Sequence, residues 1–318
     1  MALNVALIGT GFGQHAVAPV YESLGCSVAV VSPRDEAGVQ AAIASPCDLV
    51  SIHSPPFMHL AHVTLATESG RHVLCDKPFG RNAIEAQQML DMASAAGVLH
   101  FLNFEFRFDP LREKMKALLD NGAIGEPVHF SSTMFTSGGH DRPYGWLFDK
   151  DKGGGWIGAF ASHEIDTIQW LFGNVDSLGG QRRIDIKQRP DRDESNDTLH
   201  TVSAEDAITA WLRLKNGVTA EVNTAFCAAV NLPAQLTLLG TEGAIQITQN
   251  SDLVLLRPNR EPEHFSAAPA NNALMPALES WLGKVCHAVE TRQPIEPNFA
   301  TGVACAEVID AMRALDIA

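Results

Sequence analysis

The sequence predicts an α/β protein with two domains. Its first part should be a Rossmann domain with a doubly wound parallel sheet, and its second an α+β domain with an open, mostly antiparallel sheet. Over residues 1–121, short apolar runs alternate with helical stretches, and the turn Gly9-Thr10-Gly11-Phe12-Gly13 follows the first run directly. Later runs pair through Asn216-Gly217 and through residues 240–243, which are typical hairpin turns.

Length and composition limit the classes of function. The 318 residues suggest two domains, and 46% hydrophobic residues suffice for a real core. A net charge of −14 argues against a nucleic-acid surface. No apolar run reaches the roughly 20 residues that span a bilayer, and no leader peptide precedes the first strand, so we expect a cytoplasmic protein. The six cysteines are scattered, which predicts reduced thiols and no metal site.

In the first domain, each apolar run is short, continuous and β-branched, as expected for strands that are buried on both faces. The predicted strands cover residues 4–9, 26–32, 48–53, 72–76 and 98–103, and the predicted helices cover 14–24, 36–44, 57–69, 82–95 and 109–120. Asn121-Gly122 is a helix stop signal, so the domain boundary is placed there, with domains 1–121 and 122–318.

In the second domain, the predicted strands cover residues 127–135, 207–214, 218–226, 234–239, 244–248 and 252–256, and a helix covers 156–172. Two closing helices lie within 275–315, and whether they pack back on the first domain is left open. The polar segment 181–205 is interpreted as a surface loop, with a lid or a subunit contact as the alternative. Since helices on one side leave the other sheet face open, we expect a homodimer or homotetramer.

The glycine turn predicts a dinucleotide site. Gly9 and Gly11 occupy the first two glycine positions of the dinucleotide fingerprint, and the helix that begins near Gly13 offers free amides to a pyrophosphate. Phe12 belongs to the same turn, whereas Gln14 replaces the third glycine. The alternative is a purely structural turn in another α/β protein.

The end of the second predicted strand bears on the choice of cofactor. No acidic residue for a ribose hydroxyl occurs before Asp35, whereas Ser32 and Arg34 suit a 2′-phosphate. The sequence thus slightly favours NADP over NAD, although Arg34 could equally be a solvated charge.

Four further segments resemble the family of glucose–fructose oxidoreductase and myo-inositol dehydrogenase, and together they span most of the chain. They are Ser54-Pro55-Pro56 with His59, Asp76-Lys77-Pro78, Asn103 with Arg107, and Gly153-Gly154-Gly155 with His163 and Asp166.

The resemblance implies an NAD(P)-dependent oxidoreductase that acts on a sugar, a polyol or a related hydroxy or keto compound. It implies that Ser54, Pro55, His59 and Asp76 line the cofactor site and that Lys77 positions cofactor and substrate. His163 is implied as the general base in alcohol oxidation and the acid in carbonyl reduction.

The chain departs from the family pattern at Ala159, where an aspartate often lies one helical turn before the histidine. Asp166, three residues after His163, is a candidate to contact it from the other side. Asn103, Arg107 and Trp156 are candidate substrate contacts. The alternatives are an interdomain ion pair between Arg107 and Glu105, and core packing for Trp156.

Two other functions fit the same sequence. A cofactor-bound regulator without chemistry is favoured by Ala159, whereas a glycosidase that uses tightly held NAD is disfavoured by the short chain.

Overall fold

The computed structural model describes residues 3–192, 197–249, 251–267 and 274–317. The chain divides into two compact units. The first unit contains residues 1–108, 151–153 and 274–307, and the second contains 109–150, 154–273 and 308–318. The observed division lies one helix before the boundary expected after Asn121, because helix 110–120 belongs to the second unit.

The first unit is built on a five-stranded parallel sheet in the order β2-β1-β3-β4-β5. Its strands are β1 Asn4–Ile8, β2 Ser27–Val31, β3 Leu49–Ile52, β4 His72–Asp76 and β5 His100–Asn103. The helices between them are α1 Ala18–Ser23, preceded by the π-helical turn Gly13–Val17, then α2 Glu36–Ala44, α3 His59–Glu68 and α4 Ala83–Ala96. This confirms the predicted doubly wound sheet.

Helix α7, Met275–Thr291, completes the core of the first unit. Leu278, Trp281 and Leu282 are fully buried in the cluster that also contains Leu7 and Phe101 of the central strands. The sequence left the packing of the closing helices open, and the structure shows that α7 belongs with the parallel sheet. Burial of one large aromatic side chain and its neighbours contributes several kcal/mol to this association.

The second unit contains an eight-stranded sheet in the order β15-β14-β13-β12-β6-β11-β10-β7. Neighbouring strands are antiparallel except β6 and β11, which are parallel. Its strands are β6 Pro127–Phe135, β7 Val175–Arg183, β10 Ala207–Leu214, β11 Thr219–Ala225, β12 Gln235–Gly240, β13 Ala244–Thr248, β14 Asp252–Leu256 and β15 Glu263–Ser266. The predicted open, mostly antiparallel sheet is therefore confirmed.

Three further α-helices occur in the described part of the chain. They are α5 Pro110–Asp120, α6 Ser162–Phe172, preceded by the π-helical turn Ile157–Ala161, and α8 Phe299–Arg313. Side chains along β10 alternate between buried and exposed, so one sheet face is covered and the other is open. No helix in the described ranges is long and apolar enough to cross a membrane.

The segment 181–205, interpreted as a surface loop, contains short strands in its described part. Strand β7 continues to Arg183, and β8 Gln188–Pro190 pairs with β9 Leu199–Thr201 as a two-stranded sheet. Arg189 is only 1% exposed, since its guanidinium lies 3.7 Å from the centre of the Phe148 ring and donates to the carbonyl of Arg142. Composition alone does not distinguish a buried, paired arginine from a solvated one, so the sequence did not predict the burial of Arg189.

Candidate active site

The topological switch point of the first unit lies between β1 and β3. Strand β2 pairs with β1 on one side and β3 pairs with it on the other, so the strand order reverses there. Open α/β sheets bind ligands at the carboxyl ends of the strands at such a point. Gly9 follows β1, His53 follows β3, and Asp76 ends β4. The predicted cofactor motifs thus meet at one edge of the sheet.

The glycine turn is shaped by close approach to His53. A Cβ atom at Gly9 would lie 2.8 Å from the carbonyl oxygen of His53, and one at Gly13 would lie 2.9 Å from the Cβ atom of His53. At Gly11, in contrast, nothing lies within 4 Å of the Cβ position. Phe12 is 37% exposed beside this open position. A tight turn with an open backbone flank fits the approach of a pyrophosphate.

The residues after β2 form the predicted site for a 2′-phosphate. Arg34 is exposed, and its amide donates to Ser32 Oγ at 3.3 Å. The nearest carboxylate, Asp35, caps α2 by accepting from the amide of Gly38 at 3.0 Å. A carboxylate that is engaged as a helix cap is less suited to hold a ribose hydroxyl.

Two buried histidines of α3 form hydrogen bonds with Ser54 and so hold the segment Ser54-Pro55-Pro56. His59 Nε2 donates to the carbonyl of Ser54 at 2.7 Å, and His62 Nδ1 shares a 3.0 Å hydrogen bond with Ser54 Oγ. Burial lowers the pKa of both imidazoles, that of His62 to about 4. Because His59 is fully buried, this geometry favours a supporting role for it over direct contact with a cofactor.

A continuous series of hydrogen-bonded polar side chains runs along the carboxyl end of the parallel sheet. Tyr21 Oη lies 3.3 Å from Ser51 Oγ, which lies 2.8 Å from His53 Nε2. His53 Nδ1 donates to Asp76 Oδ2 at 3.0 Å, and Asn103 Nδ2 donates to Asp76 Oδ1 at 2.8 Å. Both oxygens of Asp76 are therefore held from neighbouring strands.

This arrangement fixes the charge beside Lys77. Burial by itself would raise the pKa of Asp76, but His53, Lys77 and the amide of Asn103 outweigh it and hold this pKa below its usual range. Lys77 is half-buried and follows Asp76 directly. The carboxylate of Asp76, held by two hydrogen bonds, thus directly precedes Lys77 at the carboxyl end of the sheet, where a dinucleotide would lie.

The glycine run has a packing function at the start of the helix that carries His163. A Cβ atom at Gly155, where φ is +109°, would collide with the Glu205 carboxylate. Glu205 Oε1 accepts from the amide of Ile157 at 3.3 Å, and Arg313 lies 3.6 Å from the same oxygen. Glycine therefore lets a buried carboxylate cap the first turn of this helical segment.

His163 and Asp166 both lie on α6 and are nearly inaccessible, at 3% and 1% exposed. The next residues hold the helix in place. Arg112 of α5 donates to Glu164 Oε1 at 2.7 Å and to Thr167 Oγ1 at 2.6 Å. Thr167 Oγ1 in turn donates to the carbonyl of His163 at 2.8 Å. A buried ion pair therefore fixes the rotation of the helix that presents His163.

Of the other predicted substrate contacts, Arg107 lies 3.7 Å from Glu296 and is 6% exposed. Asn103 is fully buried against Asp76. Trp156 stacks on Phe226 at 4.2 Å and donates to Thr224 Oγ1 at 2.8 Å. These contacts favour packing for Trp156 and a supporting role for Asn103, and they show an ion pair of Arg107 with Glu296, which lies in the same unit.

Sequence reasoning missed several residues that build these sites, namely His53, Arg112, Glu164 and Glu205. His53 carried a local signal, because it directly follows a predicted strand at the switch point. The other three are paired with residues at least 48 positions away, and nothing local distinguishes them from surface charges.

Comparison with known proteins agrees with this geometry. Residues 3–104 match the family described as "Oxidoreductase family, NAD-binding Rossmann fold", and residues 113–246 match the GFO/IDH/MocA C-terminal domain. An uncharacterized oxidoreductase of Synechocystis sp. is 31% identical over 263 residues, which are 76% of this chain and 71% of that protein. The chain belongs to the GFO/IDH/MocA oxidoreductase family.

This GFO/IDH/MocA oxidoreductase is also similar to a named dehydrogenase, both in sequence and in fold. The levoglucosan dehydrogenase of Pseudarthrobacter phenanthrenivorans is 27% identical over 298 residues, covering 83% of this chain and 76% of that protein. A solved structure of levoglucosan dehydrogenase in complex with NADH and levoglucosan shares the fold, with a TM-score of 0.87 and 21% identity, covering 98% of this chain and 96% of that one. The predicted family, fold class and enzyme class are confirmed, and the first domain is an NAD-binding Rossmann domain.

Proposed function

We propose that this oxidoreductase transfers hydride between a nicotinamide cofactor and a hydroxyl-bearing carbon of a sugar, a polyol or a related hydroxy or keto compound. The observation that carries the proposal is the Asp76–Lys77 pair at the carboxyl edge of the sheet, with Asp76 anchored by His53 and Asn103. The bound nicotinamide supplies the hydride acceptor or donor. The substrate class is supported by the relative named levoglucosan dehydrogenase.

Lys77 is assigned the role of holding the cofactor and stabilising the substrate oxygen. Its ammonium is preceded by a carboxylate that is fixed from two neighbouring strands, which limits the freedom of the backbone at Lys77. A cation at the substrate oxygen favours charge that develops there during the reaction.

His163 is assigned the role of general acid and base. In oxidation it takes the hydroxyl proton, and in reduction it returns the proton to the carbonyl oxygen. Its backbone is held through Thr167 and Arg112, so the imidazole is presented from a fixed helix. Asp166 is assigned as a positioning residue for His163. Replacement by asparagine should change the pH–rate profile, and an unchanged profile would remove Asp166 from the mechanism.

For the cofactor, we propose NADP or NAD, with a slight preference for NADP. Exposed Arg34 and the hydroxyl of Ser32 support this preference, and the engagement of Asp35 as a helix cap supports it further. Titration with NADPH and with NADH, followed by nicotinamide fluorescence, tests the proposal. Lys77→Ala should weaken binding of both cofactors, whereas Arg34→Ala should weaken only NADPH. Failure of the wild-type protein to bind either cofactor would overturn the proposed function.

We further propose that the protein forms a homodimer or homotetramer through the open face of the eight-stranded sheet. Trp211, Leu239 and Leu256 are 54%, 42% and 39% exposed and share that face by strand register. Exposed apolar side chains on one sheet face are typical of a subunit contact. Light scattering at micromolar concentration should show an oligomer that Trp211→Glu weakens, and a wild-type monomer would contradict this.

A further inference from the structure

The two outer edges of the parallel sheet differ in what covers them. At β5, the amide of Leu102 donates to the carbonyl of Pro297 at 3.0 Å, so a later segment of the same unit covers this edge. At the other edge, no strand in the described ranges pairs with the outer side of β2. Ser27 and Ala29 of this strand are exposed, and Val30 is 40% exposed. Strand β2 therefore ends the sheet with an uncovered edge.

The pairing of β2 with β1 shows which backbone groups lie at this edge. The amide of Ser27 donates to the carbonyl of Leu3 at 2.9 Å, so the backbone of Ser27 faces β1. The carbonyl of Val31 also faces β1, since it accepts at 3.0 Å from the amide that directly follows this strand. Alternate residues of a strand direct their N–H and C=O groups to opposite sides. The N–H and C=O groups of Val28 and Val30 therefore point outward.

The outer edge of β2 lacks the features that usually prevent one strand from pairing with another. Natural edge strands are commonly protected by lysine, proline, a bulge or a covering segment. Residues 25–33 contain no charged side chain, their proline follows the strand, and β2 pairs with β1 without a shift of register. Because the protein carries a net charge of −14, two copies repel each other, and an uncharged edge is where they can approach closely.

The edge is complementary to a second copy of itself in antiparallel orientation. With Ala29 on a two-fold axis, Val28 of one protomer lies opposite Val30 of the partner subunit, and the two residues exchange both of their N–H···O=C bonds. The symmetric pair does the same, so every outward group is used. Ala29 then faces Ala29 of the partner subunit as a non-hydrogen-bonded pair, where Cα atoms approach to about 4.5 Å and a small side chain fits.

We propose that the outer edge of β2 pairs with β2 of a second copy of this chain, which joins the two parallel sheets across a two-fold axis. This contact lies in the first unit, whereas the open face of the eight-stranded sheet lies in the second. It does not depend on the proposed reaction. A protein that uses both contacts forms a tetramer with dihedral symmetry.

The test captures the contact through a cysteine on the proposed axis. In Ala29→Cys, the two introduced residues have Cα atoms about 4.5 Å apart, which lies within the range for a disulfide. Oxidised glutathione accepts the two electrons, and each disulfide between protomers releases two molecules of reduced glutathione. In the matched control Ser27→Cys, the two cysteines lie about 13 Å apart, because Ser27 is opposite Val31 of the partner subunit.

On a non-reducing gel, Ala29→Cys should form a covalent dimer at least about tenfold faster than Ser27→Cys, because association raises the effective concentration of its thiols. Adding Val30→Lys to Ala29→Cys should abolish the rapid reaction, since lysine on an edge strand prevents pairing. Adding Ile84→Lys should leave the reaction unchanged, because Ile84 is 72% exposed on α4, away from the edge.

Equal rates for Ala29→Cys and Ser27→Cys, or rapid cross-linking that survives Val30→Lys, would overturn the proposal. If thermal unfolding shows that Ala29→Cys is not folded, sedimentation of Val30→Lys against wild type decides instead. A lower mass for Val30→Lys supports the contact, and an unchanged mass overturns it. Since neither experiment requires a cofactor or a substrate, failure of this inference is distinguishable from failure of the proposed function.

Discussion

The two units differ in where their paired charged groups lie, at the end of a sheet in the first and in the interior in the second. In the first unit, the hydrogen-bonded side chains of His53, Asp76 and Asn103 lie at the carboxyl end of a regular parallel sheet, on residues that end strands or directly follow them. In the second, Arg112 and Glu164 pair inside the structure to hold a helix. The carboxyl end of a parallel sheet therefore brings together polar groups that short local motifs supply, whereas a buried helix is held by partners from distant segments.

The largest expected effect tests the buried ion pair of the second unit. Arg112→Met leaves Glu164 without its partner at a side chain that is 1% exposed, so we expect a loss of about 3–5 kcal/mol in the free energy of unfolding. Urea denaturation measures it. Lys116→Met, on the same helix, removes an accessible pair with Asp120 and should cost no more than about 0.5 kcal/mol. Equal losses in the two variants would show that burial of the pair is not what matters.

A pH effect should be found in the first unit. Burial holds the pKa of His62 at about 4, whereas an unfolded histidine titrates near 6.5. The unfolded chain therefore binds a proton that the folded unit does not, and stability is lost as the pH falls from roughly 6.5 to 4, by about 3 kcal/mol at most.

Hydrogen exchange of α3 at pH 7 and pH 4.5 measures this loss, and His62→Gln should reduce the difference. If the variant shows the same acid loss of protection as wild type, His62 is not its source.

The close approach of Glu205 to the glycine run gives a smaller effect. Gly155→Ala introduces a Cβ atom against the Glu205 carboxylate at a positive φ, so we expect a loss of about 2–3 kcal/mol in unfolding free energy. The control Gly97→Ala, at the end of α4, has a left-handed backbone with φ of +64° and nothing within 4 Å of its Cβ position, and should lose only about 1–2 kcal/mol. Thermal unfolding compares them, and a greater loss at Gly97 would contradict the role of the contact.

The smallest effect concerns the hydroxyl of Thr224. Thr224→Val keeps the shape of the side chain but removes both the acceptor of the Trp156 indole N–H and the donor to the carbonyl of Met134, so we expect a loss of about 1–2 kcal/mol. Thr209→Val, on the neighbouring β10 and bonded to Asn223 in an accessible position, should change the free energy of unfolding by less than about 0.5 kcal/mol. Chemical denaturation that shows no difference between them would indicate that water replaces the lost partner.

The sequence by itself determined the parallel sheet and the motifs at its edge. Strand β4 and helix α2 have the bounds predicted for them, since a continuous apolar run and a helix with an N-terminal cap are local patterns. Because the carboxyl ends of parallel strands share one edge, the order of strands and motifs along the chain is enough to place the glycine turn and the Asp76-Lys77 motif together.

Only the tertiary structure decided which polar residues are buried partners. Segment 181–205 looks solvated by composition, yet its Arg189 is packed on Phe148. Arg112 and Glu164 are 52 residues apart, and a charge on a helix has the same local pattern whether it faces water or a partner. His53 gains its significance from contacts with Gly9, Ser51 and Asp76, which the fold brings together. The physical reason is that burial and pairing are properties of three-dimensional neighbours, whereas periodicity and turn chemistry are properties of adjacent residues.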